Sequence, residues 1–134
     1  MRARIGGALL AVALMVRASL AADPPHVVAT TGMIGDVART VAGDCAAVDV
    51  LMGPGVDPHL FKASAGDVRT LQRADLILYS GLSLEGQLGE VLEKLGRQKR
   101  TLAVAEAAVP RGELITVEDA YGIDPHVWMD ASLW

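Results

Sequence analysis

The stretch HVVATTGMIGDVARTVAGDCAAVDVLM, residues 26–52, decides the fold of this 134-residue chain. It opens with a short apolar strand, His26 to Thr30, and closes with a second strand, Ala47 to Met52. Between the two strands, Thr31 can cap a helix that ends near Gly43. This helix has one apolar face, formed by Met33, Ile34, Val37, Ala38 and Val41. A strand, a helix and another strand in this order predict two parallel strands joined by a crossover helix.

The same alternation continues along the chain. Ser64 begins a second helix, and Asp67 lies three residues later, in the arrangement of a capping box. Asp75 to Tyr79 is a third strand, and its continuous apolar run is typical of a strand buried on both faces. Leu84 to Leu95 has the periodicity of a third helix, and Thr101 to Val104 that of a fourth strand. We therefore predict an α/β fold with a doubly wound parallel sheet.

The final part of the chain has weaker signals. Residues 110–123 predict an irregular connection, and Trp128 to Trp134 predicts the beginning of a further helix. The chain stops inside this helix, without a capping glycine or a polar tail. We expect it to be the first part of a longer protein.

The tripeptide Asp-Pro-His occurs twice, at residues 57–59 and 124–126. Of the three histidines in the chain, only His26 lies outside these two motifs. Neutral imidazole is a common protein ligand for transition metals, and it binds best when the ring is held in one orientation. Proline fixes one backbone dihedral directly before each histidine. Two Asp-Pro turns that merely end in histidine are the alternative, but the repetition favours His59 and His126 as metal ligands.

The aspartates of the two motifs have a possible supporting role. A carboxylate at Asp57 or Asp124 could accept the second ring N–H of a metal-bound histidine, although each could equally cap its own turn. In a doubly wound sheet, ligands bind beyond the carboxyl ends of the strands. His59 follows the second strand and His126 follows the fourth, so we expect both at that edge. Two imidazoles do not complete a zinc or manganese site, and the remaining ligands must come from elsewhere.

The N-terminus has the three-part layout of a secretory signal peptide. Arg2 and Arg4 precede an apolar run from Ile5 to Val16, and Ser19-Leu20-Ala21 places small residues at the −3 and −1 positions of a cleavage site. The apolar run is shorter than the roughly 20 residues that an ordinary membrane span needs. We predict a cleavable signal peptide rather than a membrane anchor.

Residues 1–21 are the predicted signal peptide, with cleavage after Ala21 or Ala22, and residues 22–134 are the exported domain. No cysteine lies near the cleavage site, so we expect a periplasmic protein without a lipid anchor.

The net charge of −4 becomes −7 when the three arginines of the signal peptide are removed. An acidic protein is a poor partner for nucleic acid or an anionic membrane. The single cysteine, Cys45, is interpreted as a small buried apolar residue.

Four ordered segments resemble one known family. They are residues 28–36 (VATTGMIGD), 51–63 (LMGPGVDPHLFKA), 74–85 (ADLILYSGLSLE) and 124–130 (DPHVWMD). Together they are similar to the opening of the periplasmic metal-binding proteins of ABC importers for manganese, zinc and iron. The Tro-type branch of this ZnuA/TroA-like family is the most similar, and the match runs from about residue 27 to the end.

The resemblance implies a solute-binding protein, with two α/β lobes joined by a long helix and a single metal ion between them. His59 and His126 match the two histidines of the first lobe. The second lobe, which would supply a histidine or glutamate and an aspartate, is absent from this sequence. The implied function is capture of a divalent metal and its delivery to a membrane permease by a monomeric protein. A periplasmic zinc-dependent hydrolase is the alternative, but no His-Glu-x-x-His or comparable base-bearing motif is present.

The sequence also bears on which metal is bound. Strongly zinc-scavenging members of the family often carry a histidine-rich loop before the second ligand motif, and residues 97–123 contain no histidine. Affinity alone favours zinc at a nitrogen-rich site, whereas a glutamate as third ligand favours manganese. We lean narrowly towards Mn²⁺ over Zn²⁺.

Other candidate residues have plainer interpretations. His26 is expected to be a solvated residue near the cleavage site, and Glu85 a helix cap. Asp130 is expected in the first turn of a helix, where the dipole favours a negative charge. Trp128 is expected to be part of the core packing and to shield the metal from water. The basic stretch from Lys94 to Arg100 is interpreted as a solvated helix end, with a permease contact as a weaker alternative.

Overall fold

A computed structural model describes residues 23–117 and 122–133 of the chain. Four strands form one parallel sheet: β1 His26–Thr31, β2 Ala47–Met52, β3 Leu76–Tyr79 and β4 Arg100–Ala103. Their spatial order is β2-β1-β3-β4. Each predicted strand lies within one residue of an observed one, and the predicted parallel sheet is confirmed. The signal-peptide prediction falls outside the described residues.

Helices cover both faces of this sheet. They are α1 Gly32–Ala42, α2 Ala65–Arg73, α3 Leu88–Gly96 and the short α4 Val104–Ala108. On one face, Val28, Met52 and Ile77 pack with α2 and α3 in a cluster that includes the fully buried Leu71 and Leu92. On the other face, α1 lies against β1 and β2, where Gly35 directly contacts the side chains of Ala29 and Val50. The sheet is therefore doubly wound, as predicted.

Helix α2 is the element whose ends are most fully capped. The predicted capping box is present: Asp67 N–H donates to Ser64 Oγ at 3.2 Å, and Ser64 N–H donates to Asp67 Oδ2 at 2.7 Å. At the other end, the Lys99 ammonium donates to the main-chain carbonyls of Leu71, Gln72 and Ala74. The interpretation of the basic stretch as a solvated helix end is therefore wrong for Lys99, which closes the carboxyl end of α2.

The third helix begins later than predicted. Helix α3 starts at Leu88 rather than Leu84, because the chain before it is a series of turns with left-handed backbone at Leu82 (φ 52°) and Ser83 (φ 66°). Leu84 is nevertheless fully buried. The expected helix after Trp128 is also not observed between residues 127 and 133. A single 3-10 turn, Val127–Met129, is found there instead.

The burial prediction for Cys45, just after α1, is wrong. Cys45 is exposed, because it lies in the 3-10 turn Gly43–Cys45, where the chain reverses at the surface between α1 and β2. Val37 and Val41 are 45% and 81% exposed, although they belong to the apolar face of α1. Thr31 is the N-cap residue of α1, as predicted, but its side chain makes no capping hydrogen bond. No helix among the described residues is long and apolar enough to cross a membrane.

Candidate metal centre

The two Asp-Pro-His motifs follow strands at the two ends of the strand order. His59 lies in the loop after β2 and His126 lies in the segment that follows β4 and α4, and these two strands are the outermost ones. Strands three positions apart in a sheet are separated by about 14 Å. The connections nevertheless return over the carboxyl edge, and the Nε2 atoms of His59 and His126 lie 3.2 Å apart. The ring centroids are 5.2 Å apart, with an interplanar angle of 61°.

The local structure of the two motifs is the same. In each, the aspartate Oδ1 accepts the main-chain N–H of the histidine two residues later, at 2.9 Å in both Asp57–His59 and Asp124–His126. This is an Asx turn, and the intervening proline fits it because the ring fixes φ and has no N–H to satisfy. The repeated tripeptide is thus a repeated device that fixes the backbone of each histidine.

The two aspartates differ in what they do to the rings. Asp124 Oδ1 also lies 2.6 Å from Nδ1 of His126, so it holds that ring with Nε2 directed towards His59. The hydrogen bonds from the main chain and then the ring of His126 lower the pKa of the Asp124 carboxyl below its ordinary value. Among the described contacts, the Asp57 carboxylate accepts a hydrogen bond only from the main-chain N–H of His59. Trp128 packs edge-on against His126, with centroids 5.2 Å apart.

The separation of the two nitrogens matches that of a chelating pair. Two imidazole nitrogens at zinc–nitrogen distances of about 2.0–2.1 Å are about 3.3–3.4 Å apart at a tetrahedral angle and about 2.9 Å apart at a right angle. The observed 3.2 Å falls between these values. In residues 23–117 and 122–133, no group of three histidine, cysteine, aspartate or glutamate side chains is placed to hold a metal. The described part of the chain therefore brings two imidazoles together, and 42% of the His126 side chain is exposed.

A buried carboxylate lies at the same edge of the sheet. Glu85 is 2% exposed and accepts hydrogen bonds from Thr30 Oγ1, Ser80 N–H and Gly81 N–H. Burial raises the pKa of Glu85, and these hydrogen bonds lower it by a smaller amount. The prediction that Glu85 caps a helix is wrong, because its partners belong to β1 and the turn after β3. In the sequence, the only sign of the unusual backbone around Glu85 is the pair of nearby glycines, Gly81 and Gly86.

Two further candidates lie in other surroundings than expected. His26 is half-buried at the opposite edge of the sheet, where its Nε2 lies 2.8 Å from Asp49 Oδ2, so it is paired rather than simply solvated. Asp130 follows the 3-10 turn and accepts hydrogen bonds from the N–H and Oγ of Ser132, which lower its pKa. The expectation that Asp130 lies in the first turn of a helix is wrong.

Comparison with known proteins identifies the family of the chain. A family profile described as "Zinc-uptake complex component A periplasmic" (ZnuA) matches residues 27–134. The chain belongs to the ZnuA family. The ZnuA-family match extends over both Asp-Pro-His motifs, which the sequence resemblance had singled out.

Individual members of the ZnuA family show the same similarity. The manganese-binding lipoprotein MntA of Bacillus subtilis is 52% identical over 109 residues, which are 81% of this chain and 35% of MntA. The zinc-binding protein TroA of Treponema pallidum is 49% identical over 110 residues, or 82% of this chain and 35% of TroA. The solved structure of periplasmic zinc-binding TroA superimposes with a TM-score of 0.78, covering 83% of this chain and 39% of that one. The chain thus spans little more than a third of these relatives.

Proposed function

We propose that this chain is the first lobe of an extracytoplasmic solute-binding protein that captures a divalent transition metal and delivers it to an ABC permease. His59 and His126 are two ligands of that metal, and a second lobe, encoded beyond residue 134, supplies the others. The observation that carries the proposal is the 3.2 Å separation of the two Nε2 atoms, which come from distant parts of a ZnuA-family chain. The proposed protein is monomeric and binds no nucleic acid.

The geometry suits a carrier better than a hydrolase. A hydrolytic zinc site needs a bound water and a general base beside it. The carboxylate that reaches the histidine pair, Asp124, is already engaged by the main chain and ring of His126. The family and the two relatives described above are named for metal uptake or metal binding, not for catalysis.

Calorimetric titration of the full-length protein with Mn²⁺ and with Zn²⁺ tests the two ligands. We expect His59→Ala and His126→Ala each to weaken binding by orders of magnitude while the circular dichroism spectrum stays native. His26→Ala is the matched control, because it also removes an imidazole but at the opposite edge of the sheet, and it should bind as the wild type does. Unchanged affinity in either site variant would remove that residue from the site.

We propose manganese rather than zinc as the physiological metal. The relatives at about 50% identity do not decide it, because MntA is named for manganese and TroA for zinc. Selectivity depends on the ligands from the second lobe, since an oxygen-rich set suits manganese. Elemental analysis of full-length protein purified from the periplasm, without added metal or chelator, should find manganese. Stoichiometric zinc without manganese would reverse the assignment.

The location follows from the N-terminal segment. We propose export to the periplasm, cleavage after Ala21 or Ala22, and release without a lipid anchor. MntA is named a lipoprotein, so the absence of an anchor is tested directly. N-terminal sequencing of the exported protein should begin at Ala22 or Asp23, and labelled palmitate should not be incorporated. An intact Met1 in the exported fraction, or lipid labelling, would contradict this proposal.

A further inference from the structure

The turn between β3 and α3 has an unusual backbone. Four of its residues have left-handed φ values: Gly81 (81°), Leu82 (52°), Ser83 (66°) and Gly86 (47°). Leu82 and Ser83 carry side chains, and side chains disfavour this conformation, so the turn is strained. Strained backbone persists only where the surrounding structure holds it in place. The contacts of this turn therefore show what it is built to do.

Two carboxylates and one apolar side chain hold the turn. Glu85 binds Ser80 N–H and Gly81 N–H at one end of the turn and the Thr30 hydroxyl of β1 across from it. Glu106, from α4, accepts Leu82 N–H at 2.8 Å. Leu84 is fully buried beneath the turn. A buried carboxylate is stable only with such hydrogen bonds, and here they fasten the turn to the centre of the sheet edge.

Gly86, near the end of this turn, lies against the main chain of His59. A methyl group in place of the Gly86 α-hydrogen would lie 2.3 Å from the His59 carbonyl oxygen and 3.2 Å from its carbonyl carbon. Non-bonded atoms ordinarily stay about 3.5 Å apart, so any side chain at this position would displace the His59 backbone by about 1 Å. Metal ligands must be held within roughly 0.5 Å of their working geometry.

We propose that the turn from Ser80 to Gln87 is a rigid platform that positions His59 against His126, with Gly86 as the positioning residue at the point of contact. This rests on the proposed function for its purpose, but the juxtaposition of the two rings can be tested without metal. The platform explains how His59, in the long loop after the outer strand β2, is held next to the turn that follows the inner strand β3.

The test compares three glycine variants of the full-length protein. Gly86→Ala introduces both the left-handed strain and the contact with His59. Gly43→Ala also puts a side chain at a positive φ of 51°, but no atom lies within 4 Å of its added methyl group. Gly86→Asn keeps the contact and lessens the strain, since asparagine tolerates left-handed backbone, so it serves if the alanine variant folds poorly. Thermal unfolding followed by circular dichroism shows that each variant is folded.

Three readouts separate this proposal from the proposed function. In metal-free protein, NMR should show nuclear Overhauser effects between the ring protons of His59 and His126 in wild type and Gly43→Ala, but not in the Gly86 variants. With Mn²⁺ or Zn²⁺, the Gly86 variants should bind at least about tenfold more weakly than Gly43→Ala. The visible spectrum of bound Co²⁺ should change only in the Gly86 variants. A wild type that binds no metal would refute the proposed function alone. Folded Gly86 variants with the wild-type ring contacts would refute the platform.

Discussion

At the scale of single residues, the Asp-Pro-His repeat has two separable roles. Both aspartates fix a histidine backbone through the same Asx turn, at the same 2.9 Å distance. Asp124 additionally holds the ring of His126 at 2.6 Å. The sequence predicts that the two motifs are alike, but the ring contact depends on a side-chain rotamer, which a tripeptide pattern does not specify.

This difference leads to a prediction about the two aspartates. Asp57→Ala and Asp124→Ala each remove an Asx turn, but only Asp124→Ala also frees the histidine ring. Loss of a carboxylate that orients a ligand ring typically weakens metal binding about 10- to 100-fold. We therefore expect Asp124→Ala to bind Mn²⁺ or Zn²⁺ at least about tenfold more weakly than Asp57→Ala in calorimetric titrations. Equal losses would show that ring orientation contributes nothing.

Glu85 makes the stability of the protein depend on pH. Burial raises its pKa above the ordinary value of 4.5, so at pH values between the unfolded-state and folded-state pKa the folded protein binds more protons than the unfolded chain. The contribution to stability is then fully present below the ordinary pKa and is lost as the pH rises through the folded-state pKa. In urea unfolding at a series of pH values, the stability of wild type relative to Glu85→Gln should fall as the pH rises above about 4.5. A difference that does not change with pH would refute this.

At the scale of elements, the sequence predicts those helices and strands whose burial leaves a clear apolar pattern. The strands are apolar runs between turn residues, and they were predicted within one residue because burial imposes that pattern. The start of α3 was missed because Leu84 and Leu88 are both buried and share a helical spacing, while the left-handed residues before Leu88 leave no mark in the apolar pattern. The short helix α4 was missed for a related reason, since five residues show too little periodicity.

The Lys99 contacts at the end of α2 give a prediction at this scale. Its ammonium donates to the main-chain carbonyls of Leu71, Gln72 and Ala74, at the end of the helix where carbonyls lose their regular intrahelical partners. Lys99→Met keeps most of the aliphatic chain but removes the charge, and it should lower the free energy of unfolding by about 1–3 kcal/mol. Lys94→Met is the control, because Lys94 is exposed on α3 and should change little. Equal denaturant midpoints for both variants would contradict the capping role.

At the scale of the whole molecule, the chain order predicts the sheet edge at which the site forms, but not how the histidines meet. Parallel strands gather their following loops at one edge, so His59 and His126 were expected there. In the strand order β2-β1-β3-β4, the two histidines follow the two outermost strands along the chain. Their meeting therefore depends on the paths of two long loops and on the turn around Gly86, and these are set by tertiary contacts rather than by local sequence.

The central claim is that His59 and His126 hold one metal ion together. Anomalous diffraction from crystals of metal-loaded full-length protein, recorded at the absorption edge of the bound metal, tests it most directly. We expect a single strong peak between the two rings, at about 2.0–2.1 Å from both Nε2 atoms if the metal is zinc. A peak bound by only one of these histidines, or by neither, would contradict the account.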